Sequence, residues 1–131
     1  FFTKAINIKP KNHPDLYFNR GRAYYALQNF SKAINDYEKA LEIEWIDPAY
    51  FYSMGNAKRI KKEFKSAKSY YTNAILLDSD FAYAFYGRAV SNVELGNFSA
   101  GCVDYKKSVN INQQIAVSTW AKEKTYFCRN L

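Results

Sequence analysis

The 131-residue chain contains one histidine, His13, and two cysteines, Cys102 and Cys128, far apart. A lone histidine makes no catalytic triad without a nucleophile and an orienting acid fixed beside it, and nothing places them around His13. One histidine and two distant cysteines also fail the ligand spacing of a zinc site. There are only five glycines, and none forms a phosphate-cradling loop after a strand. No segment alternates at period two for long enough to suggest a strand. No run of about 18 apolar residues is present, so no membrane-spanning helix is expected. The usual routes to catalysis are missing. The chain reads as a non-enzyme, with no metal and no cofactor. Asp36, Glu38, Glu42 and Glu44 read as solubilising charge.

Aromatic residues are plentiful, with 12 Tyr and 10 Phe, and 48% of the residues are hydrophobic. That is enough for one domain with a sizeable core. The net charge of +7 fits acidic partners and ordinary surface solubility equally. Cys102 falls near a packing face of a helix and reads as a buried free thiol rather than half of a disulfide. The compartment stays open, with a reducing cytoplasm weakly favoured. The chain opens on Phe1 rather than Met and reads as a piece of a longer protein.

A block of residues recurs every 34 positions. Tyr17, Phe51 and Phe85 share one slot, and Gly21, Gly55 and Ala89 share the next small one. Ala23, Ala57 and Ser91 follow, then Phe30, Phe64 and Phe98. Ala33, Ala67 and Gly101 come next, then Tyr37, Tyr71 and Tyr105, then Ala40, Ala74 and Ser108. This period marks stacked helix pairs, each leaning on its neighbours. Helices are expected over about 14–28, 31–44, 48–62, 65–78, 82–95 and 98–111. Pro14 and the pair Asp47-Pro48 read as helix starts, and Gly96-Asn97 as a break.

These slots resemble the tetratricopeptide repeat, a pattern of aromatic, small, Tyr, Ala, aromatic and Ala residues. Tyr17 to Tyr25 and Ala33 to Ala40 match it closely. The departures are Lys58 and Asn92 in the slot of Tyr24, and Trp45, Ser79 and Gln113 where Pro is usual. The resemblance implies an all-α, right-handed superhelical solenoid of antiparallel helix pairs with a C-terminal capping helix. Residues 1–13 read as the tail of a partial repeat. Repeats follow at 14–47, 48–81 and 82–113, and 114–131 read as the cap. Trp120 and Phe127 keep the aromatic spacing, offset by one. Lys124 then fills a slot that needs a small residue for a second helix to approach, which favours a cap over a truncated fourth repeat.

The resemblance further implies that the first helix of each pair lines a concave groove. Helical spacing then points Phe18, Asn19, Arg22 and Tyr25 into it, followed by Tyr52, Ser53, Asn56 and Arg59, then Tyr83, Tyr86, Gly87 and Val90. Asn offers donor and acceptor to a peptide backbone, Arg forks onto carboxylates, and Tyr supplies contact area with a polar tip. For Phe18 and Tyr52 packing between helices is an equal alternative. The carboxylate clamp of chaperone-binding relatives would need Lys and Asn, then Asn, then Lys and Arg. Here those positions hold Phe18 and Arg22, Ser53, and Tyr83 and Gly87, so the clamp is absent. Shifting the frame by one unit, with Asn19 in the middle, leaves Ala49 and Ser53 in place of the cations.

A basic cluster gathers Lys58, Arg59, Lys61, Lys62, Lys65 and Lys68 around one turn. It reads as a solvated turn, and without interleaved aromatics nucleic acid is an unlikely partner. The expected function is a protein-interaction scaffold holding a peptide or protein segment in the groove. The alternatives are a structural or self-associating unit of a larger protein, and weak binding of an anionic partner or RNA by the basic turn.

Overall fold

The structure, a computed structural model, describes residues 13–118, 121 and 128. Among them are six α-helices and one short 3-10 helix. The helices are α1 (Pro14–Ala26), α2 (Phe30–Ile43), α3 (Pro48–Ile60), α4 (Phe64–Leu77), α5 (Ala82–Glu94) and α6 (Phe98–Ile111). The 3-10 helix spans Gln113–Val117. Helix starts follow local chemistry. Pro14 and Pro48 occupy first-turn positions, where a missing N–H costs nothing. Asp47 caps α3 by accepting from the Ala49 amide at 2.9 Å. Asn29 caps α2 by accepting from the Lys32 amide.

Within each pair the turn is reached through one left-handed residue. Gln28 (φ 62°), Lys62 (φ 63°) and Gly96 (φ 84°) stand at equivalent positions. Only the third is glycine, the residue that adopts this conformation without steric cost.

Packing runs α1 on α2, α3 on α4 and α5 on α6, with α2 against α3 and α4 against α5 joining the pairs. The first helices also touch in sequence, α1 with α3 and α3 with α5. The 34-residue slots explain how. Ala33, Ala40, Ala67 and Ala74 are fully buried, so backbones approach closely there. The rings of Tyr37 and Tyr71 fill the space that Gly21 and Gly55 leave open. A Cβ on either glycine would stand 2.7 Å from a ring carbon. The Phe18 ring packs at a tilt against Tyr50 at 4.5 Å and Tyr37 at 5.6 Å, binding the first pair to the second.

Asp36 corrects the expectation of solvated carboxylates on the second helices. It is 1% exposed and takes a two-pronged contact from Arg20, Nε to Oδ2 at 2.7 Å and Nη2 to Oδ1 at 2.6 Å. Arg88 grips Asp104 in the same way at 2.8 Å for both prongs. Each pair crosses from the first helix of its hairpin to the second, at the same sequence separation of 16. The middle hairpin holds Met54 and Tyr70 in these positions. The repeated 16-residue spacing of Arg and Asp was visible in the sequence.

Cys102 is likewise not a free thiol. It is bonded to Cys128, with the Cα atoms 5.3 Å apart. Spacing in sequence says nothing about which residues meet in space, and here Cys128 lies against α6. This removes the ground for favouring a reducing compartment. The helix expected over about 114–129 opens as the 3-10 helix, Ser118 has an extended backbone, and Ala121 is helical again. The remainder of the expected cap, apart from Ala121 and Cys128, and the partial repeat over 1–12 lie outside the described residues.

Candidate functional site: a groove along the first helices

Two clefts open between the first helices of successive pairs. Arg22, Tyr25, Tyr37, Ser53 and Asn56 line one of 270 Å³ between α1 and α3. Tyr52, Asn56, Arg59, Tyr83, Tyr86, Gly87 and Val90 line one of 190 Å³ between α3 and α5. Asn56 borders both. The helical period accounts for this: Tyr52, Asn56 and Arg59 are three or four residues apart, so one face of α3 presents all three.

Most of the residues expected to face a groove border one of these two clefts. Phe18 and Asn19 line neither cleft. Phe18 sits between helices, and the Arg22 guanidinium lies over its ring at 5.8 Å. Tyr52 does both jobs, bordering the second cleft while packing on Phe81 at 4.8 Å.

Sequence reasoning placed Tyr71 in the core and missed its outer end. The ring is fully buried, clasped between Gly55 on α3 and Gly87 on α5. A Cβ at Gly87 would lie 2.6 Å from its Cε1. The two glycines let the ring run through to the groove, where its hydroxyl donates to Asn56 Oδ1 at 2.6 Å. The same hydroxyl accepts from Arg59 Nε at 3.0 Å. The signal available in the sequence was Gly87, a second small residue beside the Tyr71 slot.

Burial, opposed by nearby Arg59, pushes the Tyr71 phenol up to about 12. It stays a proton donor to Asn56 at any ordinary pH. Burial also raises Tyr25. For Arg59, burial works against the charge, but the phenols of Tyr71, Tyr25 and Tyr52 outweigh it and the pKa rises. The guanidinium is permanently charged. No Asp or Glu borders either cleft.

The lysines of the basic cluster have different surroundings. Lys58 pairs with Glu63 at 3.0 Å. Lys61 extends toward the preceding hairpin, its Nζ 3.5 Å from Ser31 Oγ. Lys62 occupies the left-handed turn position. Lys65 and Lys68 border a separate 520 Å³ cleft with Thr72, Leu95 and Asn97.

Tetratricopeptide repeat profiles match residues 14–44 and 48–81. The chain belongs to the tetratricopeptide repeat family. It is 34% identical to human "Tetratricopeptide repeat protein 6" over 128 residues, covering 93% of this chain and 23% of that protein. The chain spans less than a quarter of the length of the curated relatives it matches. Among solved structures it is similar to the "Arabidopsis OM64 TPR domain", with a TM-score of 0.81 and 21% identity, covering 89% of this chain and 94% of that one. It is similar also to "First TPR of Spaghetti (RPAP3) bound to HSP90 peptide SRMEEVD", with a TM-score of 0.81 and 17% identity over 89% and 90%. At these identities the structural likeness speaks to the fold, an all-α tetratricopeptide solenoid.

Proposed function

We propose that this tetratricopeptide domain is a protein-interaction module that holds an extended segment of another protein in the groove along α1, α3 and α5. The observation that carries the reading is the pair of neighbouring clefts that share Asn56. Between them the two clefts offer aromatic walls, two arginines and an amide held by the Tyr71 hydroxyl. The Tyr71 hydroxyl engages Asn56 Oδ1, so the Asn56 Nδ2 is left to donate to a peptide carbonyl. Such a surface supplies backbone hydrogen bonds and rigid ring contacts, the parts from which peptide recognition is built. The Spaghetti domain, of similar fold, carries a bound peptide. The chaperone-tail clamp residues are missing here, so the segment held differs from that class. The domain carries out no chemistry of its own. The lysines divide among an ion pair, a neighbouring hairpin, a turn and a separate cleft, which favours a protein partner over nucleic acid.

Selection of random dodecapeptides on the wild-type domain tests this, with an Arg22→Ala/Asn56→Ala variant as the control. Peptides enriched on the wild type are expected to lose binding to the variant while the variant keeps its helical circular dichroism. Peptides that bind both proteins equally place the interface elsewhere and overturn the groove reading.

A further inference from the structure

We propose that the segment held in the groove presents a carboxylate to the outer fork of Arg59, with Tyr71 as the residue that positions that fork. The inference rests on the groove being the binding surface and names the chemistry it selects.

The arginines of this fold are used in two ways. Arg20 and Arg88 are saturated from the side, each giving Nε and Nη2 to the two oxygens of a buried aspartate. Arg59 has a different arrangement. Its Nε is committed to the Tyr71 hydroxyl, which closes the side approach. The two terminal nitrogens remain, and they form the end-on fork that matches the two oxygens of a carboxylate. No carboxylate among the described residues forms an ion pair with Arg59. None borders the cleft it lines.

Arg59 is half-buried and has no carboxylate partner among the described residues, so a ligand carboxylate would add a charge-assisted pair that the free domain lacks. Arg22 is the weaker candidate, since it is exposed and laid over the Phe18 ring. Arg59 is held rigidly. The Tyr71 ring cannot swing away, because Gly55 and Gly87 clasp it on both sides. Pre-positioning of this kind lowers the ordering cost of binding. The flanking Tyr52, Tyr83 and Val90 favour an apolar or aromatic neighbour beside the acid.

The test uses nuclear magnetic resonance on the isotope-labelled domain with three eight-residue probes of alternating Tyr and Glu or Gln. The first has Glu and both ends blocked. The second has Gln and blocked ends. The third has Gln and a free C-terminus. An acid-bearing probe is expected to shift the Arg59 Nε–Hε signal and the Asn56 and Val90 amides, while the blocked Gln probe does not. Response to the first probe assigns the carboxylate to a side chain, and response to the third alone assigns it to a chain end. Arg59→Gln is expected to weaken binding roughly 10- to 100-fold, the usual scale for losing a charge-assisted pair. Arg59→Lys is expected to recover only part of it, because an ammonium lacks the fork. Both variants are checked by thermal melt.

Equal binding of the blocked Gln and Glu probes, with no effect of Arg59→Gln, overturns the carboxylate proposal and leaves the groove reading standing. Failure of every probe to move a groove resonance at millimolar concentration overturns both.

Discussion

Replacing the Arg20–Asp36 pair by the residues of the middle hairpin separates a buried ion pair from a surface one. Asp36 is 1% exposed and its partner side chain 16%, and both prongs are short. Arg20→Met leaves the carboxylate buried without a counter-charge, a loss of about 3–5 kcal/mol. Asp36→Tyr is milder, about 1–3 kcal/mol, because the freed guanidinium can reach water along its stem. The double variant recreates Met54 with Tyr70, which the fold already accommodates one repeat further on. It is expected to fall within about 1.5 kcal/mol of the wild type or to exceed it. The two substitutions are therefore strongly non-additive, with a coupling of several kcal/mol. Urea denaturation followed by circular dichroism at 222 nm measures all four proteins. If Arg20→Met costs less than about 1 kcal/mol, the pair behaves like an exposed one and the reasoning fails. Simple addition of the two single effects in the double variant refutes it as well.

Three further outcomes follow from the geometry. Gln28→Gly and Lys62→Gly, at left-handed positions where the third repeat has Gly96, should each stabilise the domain by about 0.5–1 kcal/mol in the same denaturation assay. Tyr37, Tyr50 and Tyr71 are each pushed up to about 12, chiefly by burial, against about 10 in the unfolded chain. The folded phenols keep protons that the unfolded chain has lost. The stability they contribute is complete below about pH 10 and disappears as pH climbs toward 12, so tyrosinate absorbance should rise together with unfolding. Cys102→Ser opens a loop with a sequence separation of 26 and should cost about 3.5 kcal/mol, as should adding a dithiol reductant to the wild type but not to the variant.

Much of the architecture was legible in the chain. The 34-residue recurrence of Tyr, Gly and Ala is a one-dimensional pattern, and stacked hairpins repeat local packing, so the pattern specifies helix order and the pairing of neighbours. Pro14, Asp47-Pro48 and Gly96 marked boundaries because caps and turns depend on adjacent residues. Helical spacing also put Tyr25, Asn56 and Arg59 on the helix faces that border the two clefts, since orientation along one helix is a matter of period alone.

Tertiary structure decided what depends on the distance between helices. Asp36 looked like any carboxylate on a polar helix until α1 brought Arg20 against it. Cys102 looked like a free thiol until Cys128 met it. Phe18 had equal claims on groove and core until Tyr50 of the next pair closed over it. Tyr71 shows the reason most clearly. Its slot marked it as core, and its ring is core, but the small residues on both sides let its hydroxyl emerge beside Asn56 and Arg59. Periodicity tells which way a side chain leaves its own helix. Where its far end arrives, and which polar group it meets there, is set by the two neighbouring helices.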